Sequence, residues 1–293
     1  MVTAEKSRID CRHIDVLDGI RAVSVIIVLI FHFWQQTWIF PVIKTPWLAF
    51  VGITKIDFSN FATVGYLFVD MMVLISGFLL FLPLMRSIIL GEEMSSWKNY
   101  ARRRIARIVP SYYFAVLLLF FASALPTGAY ATTADALKDL FAHLTFTQTL
   151  WVNTYIATPL DVVLWTVAIE VWFYVLFPFV AEFIKGPRNK NRQSFTPAYG
   201  IFFIFAVFNI INYVYIENFV LKGNVYLAMR INQFPAFLGV YSIGMLGASA
   251  FVLIAKNCRR SRMFNAVNTL FSVCSILLII YLINDCVATQ ERQ

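Results

Sequence analysis

Residues 17–33 read LDGIRAVSVIIVLIFHF, with Asp18 and Arg21 at the mouth of a Val- and Ile-rich run and His32 deep inside it. At about 1.5 Å per helical residue, an apolar window over 20–40 is long enough to cross ~30 Å of hydrocarbon. An ionisable ring inside such a window is expensive, and it faces a bundle interior or a water-filled cavity. Arg21 and His32 are eleven residues apart. At ~100° per residue that separation is three turns plus about 20°, so both side chains share one helix face. The rise of roughly 16 Å puts Arg21 at one membrane surface and His32 near mid-membrane. An arginine at a helix mouth is an ordinary topology anchor; a buried histidine aligned with it is not.

The rest of the 293-residue chain has the same character. It is 60% hydrophobic and 14% charged, with a mean hydropathy of +0.72, where a soluble domain carries about 25% charged residues. Further apolar windows fall near 62–85, 108–125, 161–183, 198–216, 234–255 and 266–284. The pattern predicts an all-α polytopic transmembrane helix bundle of about seven spans. It divides the chain into a cytoplasmic N-terminal segment (1–17), a membrane domain (18–284) and a C-terminal tail (285–293). The first window is too long for a signal-peptide core and lacks a small-residue cleavage site, so it is read as a retained anchor.

The net charge of +8 does not point to nucleic acid, because the basic residues sit between apolar runs and leave no basic face for a duplex. With seven spans, one side of the membrane receives Lys6, Arg8, Arg12, Arg21, Arg86, Lys98, Arg102, Arg103, Arg104, Arg107, Lys185, Arg188, Lys190, Arg192, Lys256, Arg259, Arg260 and Arg262. The other receives Lys44, Lys55, Lys138, Lys222, Arg230 and Arg292. Cytoplasmic loops carry the excess of Lys and Arg, so the N-terminus is expected in the cytoplasm of a multi-pass cell-membrane protein. Cys11, Cys258, Cys274 and Cys286 are scattered without a CxxC, and His13, His32 and His143 lack metal-ligand spacing, so no metal is expected.

Two more features carry chemistry. Glu170 lies inside LWTVAIEVWFY, about 13 Å below the outer surface, and His32 lies about 18 Å above the inner one. In a ~30 Å core these depths nearly coincide, and a carboxylate there favours the imidazolium that burial alone disfavours. The second feature is NYARRRIARIVPSYY, where Arg104 and Arg107 are helix neighbours and Pro110 is read as the start of the third span. Such a cluster serves positive-inside topology, anionic headgroups or a polyphosphate ligand, and charge alone does not choose. In the long outer connection 126–160, part of the chain is expected along the membrane surface, with His143 solvated or interfacial.

In order along the chain, LDGIRAVSVIIVLIFHF, FVDMMVLISGFLL, RRRIARIVPSYY, LWTVAIEVWFY and MRINQFPAFLGVYSIGMLGA resemble the bacterial membrane-bound acyltransferase 3 family, from about residue 15 to 250. The resemblance implies transfer of an acetyl or other short acyl group from cytoplasmic acyl-CoA to hydroxyls of cell-envelope glycans. It implies that Arg21 and His32 match the family's Arg–His pair, with His32 as general base on the acceptor hydroxyl or as brief carrier of the acyl group, that Arg104 and Arg107 match the RxxR pair that helps hold the donor, and that Glu170 matches the family's glutamate. The partners it implies are the lipid bilayer and a carbohydrate or glycolipid acceptor. Where the family has a second acidic or polar group just after that glutamate, this chain has Val171 and Trp172. Family members commonly have some ten spans, so the chain reads as a short variant or a fragment. A transporter relaying protons through His32 and Glu170 explains the buried pair but not the Arg–His spacing. Ser76 and Gly77 suit either close backbone approach to a substrate or tight helix packing.

Overall fold

The computed structural model describes residues 14–39, 41–160, 162–186, 197–222, 226–257 and 262–290. Lys6, Arg8, Cys11, Arg12, His13, Asp161, Arg188, Lys190, Arg192, Cys258, Arg259, Arg260 and Arg292 lie outside the described residues. The helices are α1 (Asp15–Thr37), α2 (Ser59–Thr63), α3 (Leu67–Leu90), α4 (Trp97–Leu119), α5 (Thr133–Leu144), α6 (Val152–Tyr155), α7 (Trp165–Lys185), α8 (Pro197–Tyr215), α9 (Leu227–Ile231), α10 (Leu238–Asn257) and α11 (Arg262–Gln290). A two-stranded antiparallel hairpin, β1 (Val42–Lys44) with β2 (Lys55–Asp57), pairs Ile43 with Ile56.

Among the described residues seven helical segments are long and apolar enough to cross a membrane: Val16–Thr37, Leu67–Leu90, Trp97–Ala124, Trp165–Lys185, Pro197–Val220, Phe234–Asn257 and Asn265–Asp285. The seven spans read from the sequence are present, and the chain is an all-α multi-pass membrane protein. The third window needs correction. Its helix begins at Trp97 rather than near 108, so Pro110 sits inside the helix and the arginines ride on it. Arginine is a good helix former, the Ser96 hydroxyl caps the start by accepting from Asn99 N at 3.4 Å, and Pro110 removes only one intrahelical bond. A hydropathy window ends where charges begin; a helix does not.

The described chain divides into two compact units, residues up to 75 with those from 250 onward, and residues 76–249. In the first unit α1 is two-faced. Val16, Val23, Val25, Ile26, Leu29 and Phe33 are exposed, whereas Ser24 is fully buried and Arg21, Val28, Phe31 and His32 are half-buried. Trp38 ends the helix with a left-handed backbone (φ 57°), its N–H donating to Trp34 O at 2.7 Å. The hairpin follows, and Asn60 of α2 donates to Asn284 Oδ1 of α11 at 2.5 Å.

In the second unit the aromatic ring of Tyr241 on α10 lies flat on Phe173 of α7, centroids 3.9 Å apart. Polar cross-links join α8 to α10, with Asn209 Nδ2 donating to Ser242 Oγ at 3.0 Å. Asn212 Nδ2 likewise donates to Ala236 O at 2.6 Å just ahead of α10. Such inter-helix bonds and small-residue contacts replace the hydrophobic driving force that lipid removes. Gly77 is one of them: a Cβ there would lie 2.4 Å from the Tyr241 carbonyl oxygen, so its role is close helix packing.

The connection 126–160 also differs from expectation at His143. This ring is not solvated or interfacial; its side chain is 1% exposed and its Nδ1 lies 3.2 Å from Asp139 Oδ1. The ring's hydrogen-bond partner is the Asp139 backbone carbonyl, 2.9 Å from Nδ1 and one turn earlier on the same helix, so the buried imidazole keeps a polar contact. Tyr112 and Tyr113 of α4 donate to His143 O at 3.1 Å and Leu144 O at 2.7 Å, fixing the end of α5 against α4.

Candidate active site

The predicted site residues fall in both units. In the first, α1 is an unbroken helix over Asp15–Thr37, so Arg21 and His32 share a face as the spacing requires. That face is the packed one, turned away from the exposed Val and Leu side. The His32 ring stands edge-on to Phe31, centroids 5.1 Å apart, and Phe31 meets Tyr66 at 5.9 Å. His32 Nδ1 lies 3.3 Å from Gln35 Oε1. The exposed Gln35 amide carries both an acceptor and donors, so it partners Nδ1 in either tautomer of the ring.

In the second unit α4 and α7 meet at their ends. Trp97 Nε1 donates to Glu182 Oε1 at 2.9 Å, and Lys185 Nζ both donates to that oxygen at 3.0 Å and sits 4.9 Å from the Trp97 ring centre. From there the pair runs antiparallel. Two turns along α4, the Arg104 guanidinium lies over two rings, Tyr100 at 5.5 Å and Tyr174 at 5.0 Å. The Tyr174 hydroxyl donates to Glu170 Oε1, and Tyr100 donates to Tyr174 O at 3.3 Å. Glu170, Tyr174, Arg104 and Tyr100 therefore form one connected cluster, beginning at the basic helix end and running into the apolar span.

Arg107 is exposed one turn beyond Arg104. Sequence reasoning named Arg104 and Glu170 but missed what joins them. Tyr174 stands four residues after Glu170, and Gln35 three after His32; each spacing marks a helix neighbour and could have flagged the pair. Among the described residues, no three His, Cys, Asp or Glu side chains gather into a metal-binding group.

A family model described as "Acyltransferase domain" matches residues 14–289. The chain belongs to the acyltransferase 3 family. The match covers both units and every site residue above. This acyltransferase domain is similar to curated proteins named O-acetyltransferase OatA from Staphylococcus aureus strains NCTC 8325, COL and MRSA252. Each is 28% identical over 201 residues, covering 63% of this chain and 28% of that protein. The chain thus spans under a third of the length of these relatives. No solved structure matches it. Family membership supports acyl transfer over the proton-relaying transporter.

Proposed function

We propose that the chain is an integral-membrane O-acyltransferase that moves an acetyl or other short acyl group from cytoplasmic acyl-CoA to a hydroxyl of an extracytoplasmic glycan. The observation that carries this reading is the packed face of α1, where a half-buried histidine, its Nδ1 against Gln35, stands three turns from a half-buried arginine. The excess of Lys and Arg supports placing the N-terminus and the basic end of α4 in the cytoplasm. On that side Arg21, Arg104 and Arg107 offer planar, forked donors to the anionic phosphates of coenzyme A. The uncharged arm then carries the thioester into the membrane toward His32.

In the chemical step His32 Nε2 takes the proton from the acceptor hydroxyl while its oxygen bonds to the thioester carbonyl carbon. The carbon–sulfur bond breaks, and the departing thiolate takes the proton from the imidazolium. The products are the glycan ester and free coenzyme A. In this proposal Gln35 accepts from Nδ1–H through the cycle, and Glu170, held by the Tyr174 hydroxyl, is the carboxylate of the catalytic set. The reading is tested with purified protein, radiolabelled acetyl-CoA and an envelope glycan fraction. His32→Ala is expected to lower transfer by about 10²–10⁴ while inserting normally; full transfer by that variant refutes the assignment. Replacing Arg104 and Arg107 together by Ala is expected to raise the KM for acetyl-CoA, and an unchanged KM returns both to a topological role.

A further inference from the structure

The connection 126–160 lines an open cavity of about 520 Å³, apart from the residues placed in the acyl-transfer step above. That volume lies within the ordinary range of ligand pockets. Its walls include Tyr130, Asp135, Lys138, Asp139, Trp151 and Asn153. They are held from below. Asp139, 2% exposed, accepts from Tyr130 OH at 2.8 Å and Thr158 OH at 2.7 Å on one oxygen, and its other oxygen faces His143 Nδ1 at 3.2 Å. A buried carboxylate is costly unless it is paired and hydrogen-bonded. Here it ties the turn before α5, the segment after α6 and α5 itself into one rigid wall. Asp135 is fixed as well, its carboxylate accepting from the Thr132 hydroxyl at 2.7 Å while that hydroxyl caps α5. Burial, reinforced by its bond to Asp139, pushes the Tyr130 phenol up, so it stays neutral in the wall.

What lines the mouth is chemically mixed. Trp151 is 54% exposed and Asn153 and Lys138 are exposed beside it. Interface anchoring accounts for a lone tryptophan. It does not account for an indole, a phenol, an amide, an ammonium and two carboxylates round one cavity. Two carboxylates against one ammonium repel an anionic ligand, which separates this pocket from the coenzyme A end of α4. Carboxylates accept hydrogen bonds from hydroxyls, amide and ammonium groups donate to them, and the apolar face of a pyranose packs on an aromatic ring.

We propose that this cavity is the acceptor subsite, holding a neutral saccharide segment stacked on Trp151 and hydrogen-bonded by Asp135, Lys138 and Asn153. The inference rests on the glycan-acceptor reading above. Its test uses the full chain in detergent, with β-1,4-linked tetrasaccharides of glucose and of N-acetylglucosamine as neutral probes without and with an amide. Calorimetry is expected to show saturable binding of one of them, weakened about tenfold in Trp151→Ala and in Asn153→Ala and largely retained in Trp151→Phe. In transfer assays the same variants raise the saccharide KM and leave the KM for acetyl-CoA in place. Absence of tetrasaccharide binding, or equal affinity in all variants, overturns the subsite even if acetyl transfer to envelope glycan persists. Conversely, saccharide binding with no acetyl-CoA turnover sinks the acyltransferase reading and leaves the subsite standing.

Discussion

Gly77→Ala tests whether the second unit is held by helix contact rather than by hydrophobic burial alone. The added methyl would sit 2.4 Å from the Tyr241 carbonyl oxygen, 3.1 Å from its Cδ2 and 3.2 Å from its carbonyl carbon. Two of those atoms are backbone, so no rotamer change relieves them; α3 and α10 must move apart by most of an ångström. Tyr241 has little room to give, because its ring is pressed on Phe173 at 3.9 Å with planes only 8° apart. Overpacking of this kind costs about 1–3 kcal/mol, and it outweighs the roughly 0.5–1 kcal/mol that alanine gains over glycine inside a helix. Two other helical glycines serve as controls. At Gly19 the new methyl meets nothing within 4 Å, and at Gly247 its nearest neighbour is Phe78 Cδ2 at 3.4 Å, an ordinary contact. Thermal unfolding in detergent, followed by circular dichroism, is therefore expected to fall for Gly77→Ala, to stay level for Gly247→Ala and to stay level or rise for Gly19→Ala. Equal midpoints for the Gly77 and Gly247 variants would refute the close approach of α3 and α10.

Two further outcomes are expected. Tyr174→Phe keeps the ring beneath Arg104 but removes the hydroxyl from Glu170; losing a charge-assisted bond of about 1.5–3 kcal/mol should cut kcat by tenfold or more without moving the KM for acetyl-CoA, as steady-state kinetics would show. In the connection 126–160, burial, partly offset by the bond from Asn232, pushes the Tyr155 hydroxyl from 10.0 up to about 12. The folded state therefore holds that proton more tightly than the unfolded one, so this contribution to stability is complete below pH 10 and is lost as pH rises from there to about 12. Alkaline titration of the tyrosinate absorbance should show Tyr155 ionising late and together with unfolding, and ionisation of Tyr155 near pH 10 in the folded protein would contradict it.

The spans were legible because lipid imposes one requirement on every residue of a window, and mean apolarity over about 20 residues reports it directly. The α1 face was legible for a similar reason: a spacing of eleven is a property of the helix, independent of neighbours. What failed was set by partners. The start of α4 was missed because Lys98, Arg102 and Arg103 lower apolarity without lowering helix propensity. His143 was misplaced because its burial depends on Asp139, and through Asp139 on Tyr130 and Thr158. Asp139 is visible at four residues' distance, but nothing in the pattern ADALKDLFAHL says that a wall of α4 stands behind it. The Arg104–Tyr174–Glu170 chain fell between these cases. Its Glu–Tyr half is an i, i+4 pair; its Arg–Tyr half requires knowing that α4 and α7 are antiparallel neighbours.

The basic end of α4 shows how structure separates charges that look alike in sequence. Five cations, Lys98, Arg102, Arg103, Arg104 and Arg107, crowd the first three turns, with no acidic residue in the first turn. The helix macrodipole is positive at that end, so each of them opposes it, and local stability does not explain the choice. Positive-inside topology explains all five equally, since it asks only for charge near a membrane surface. It does not explain why they differ. Lys98, Arg102, Arg103 and Arg107 are exposed, whereas Arg104 is half-buried and lies over the faces of Tyr100 and Tyr174. Ordering that side chain costs up to about 2 kcal/mol of rotamer freedom, which a topology signal has no reason to spend. Its guanidinium is bound on one side through Tyr174 to Glu170 and belongs on the other to a cluster that attracts anions. Removing Arg104 alone should therefore disturb both donor binding and the carboxylate deep in α7, while removing Arg103 disturbs neither.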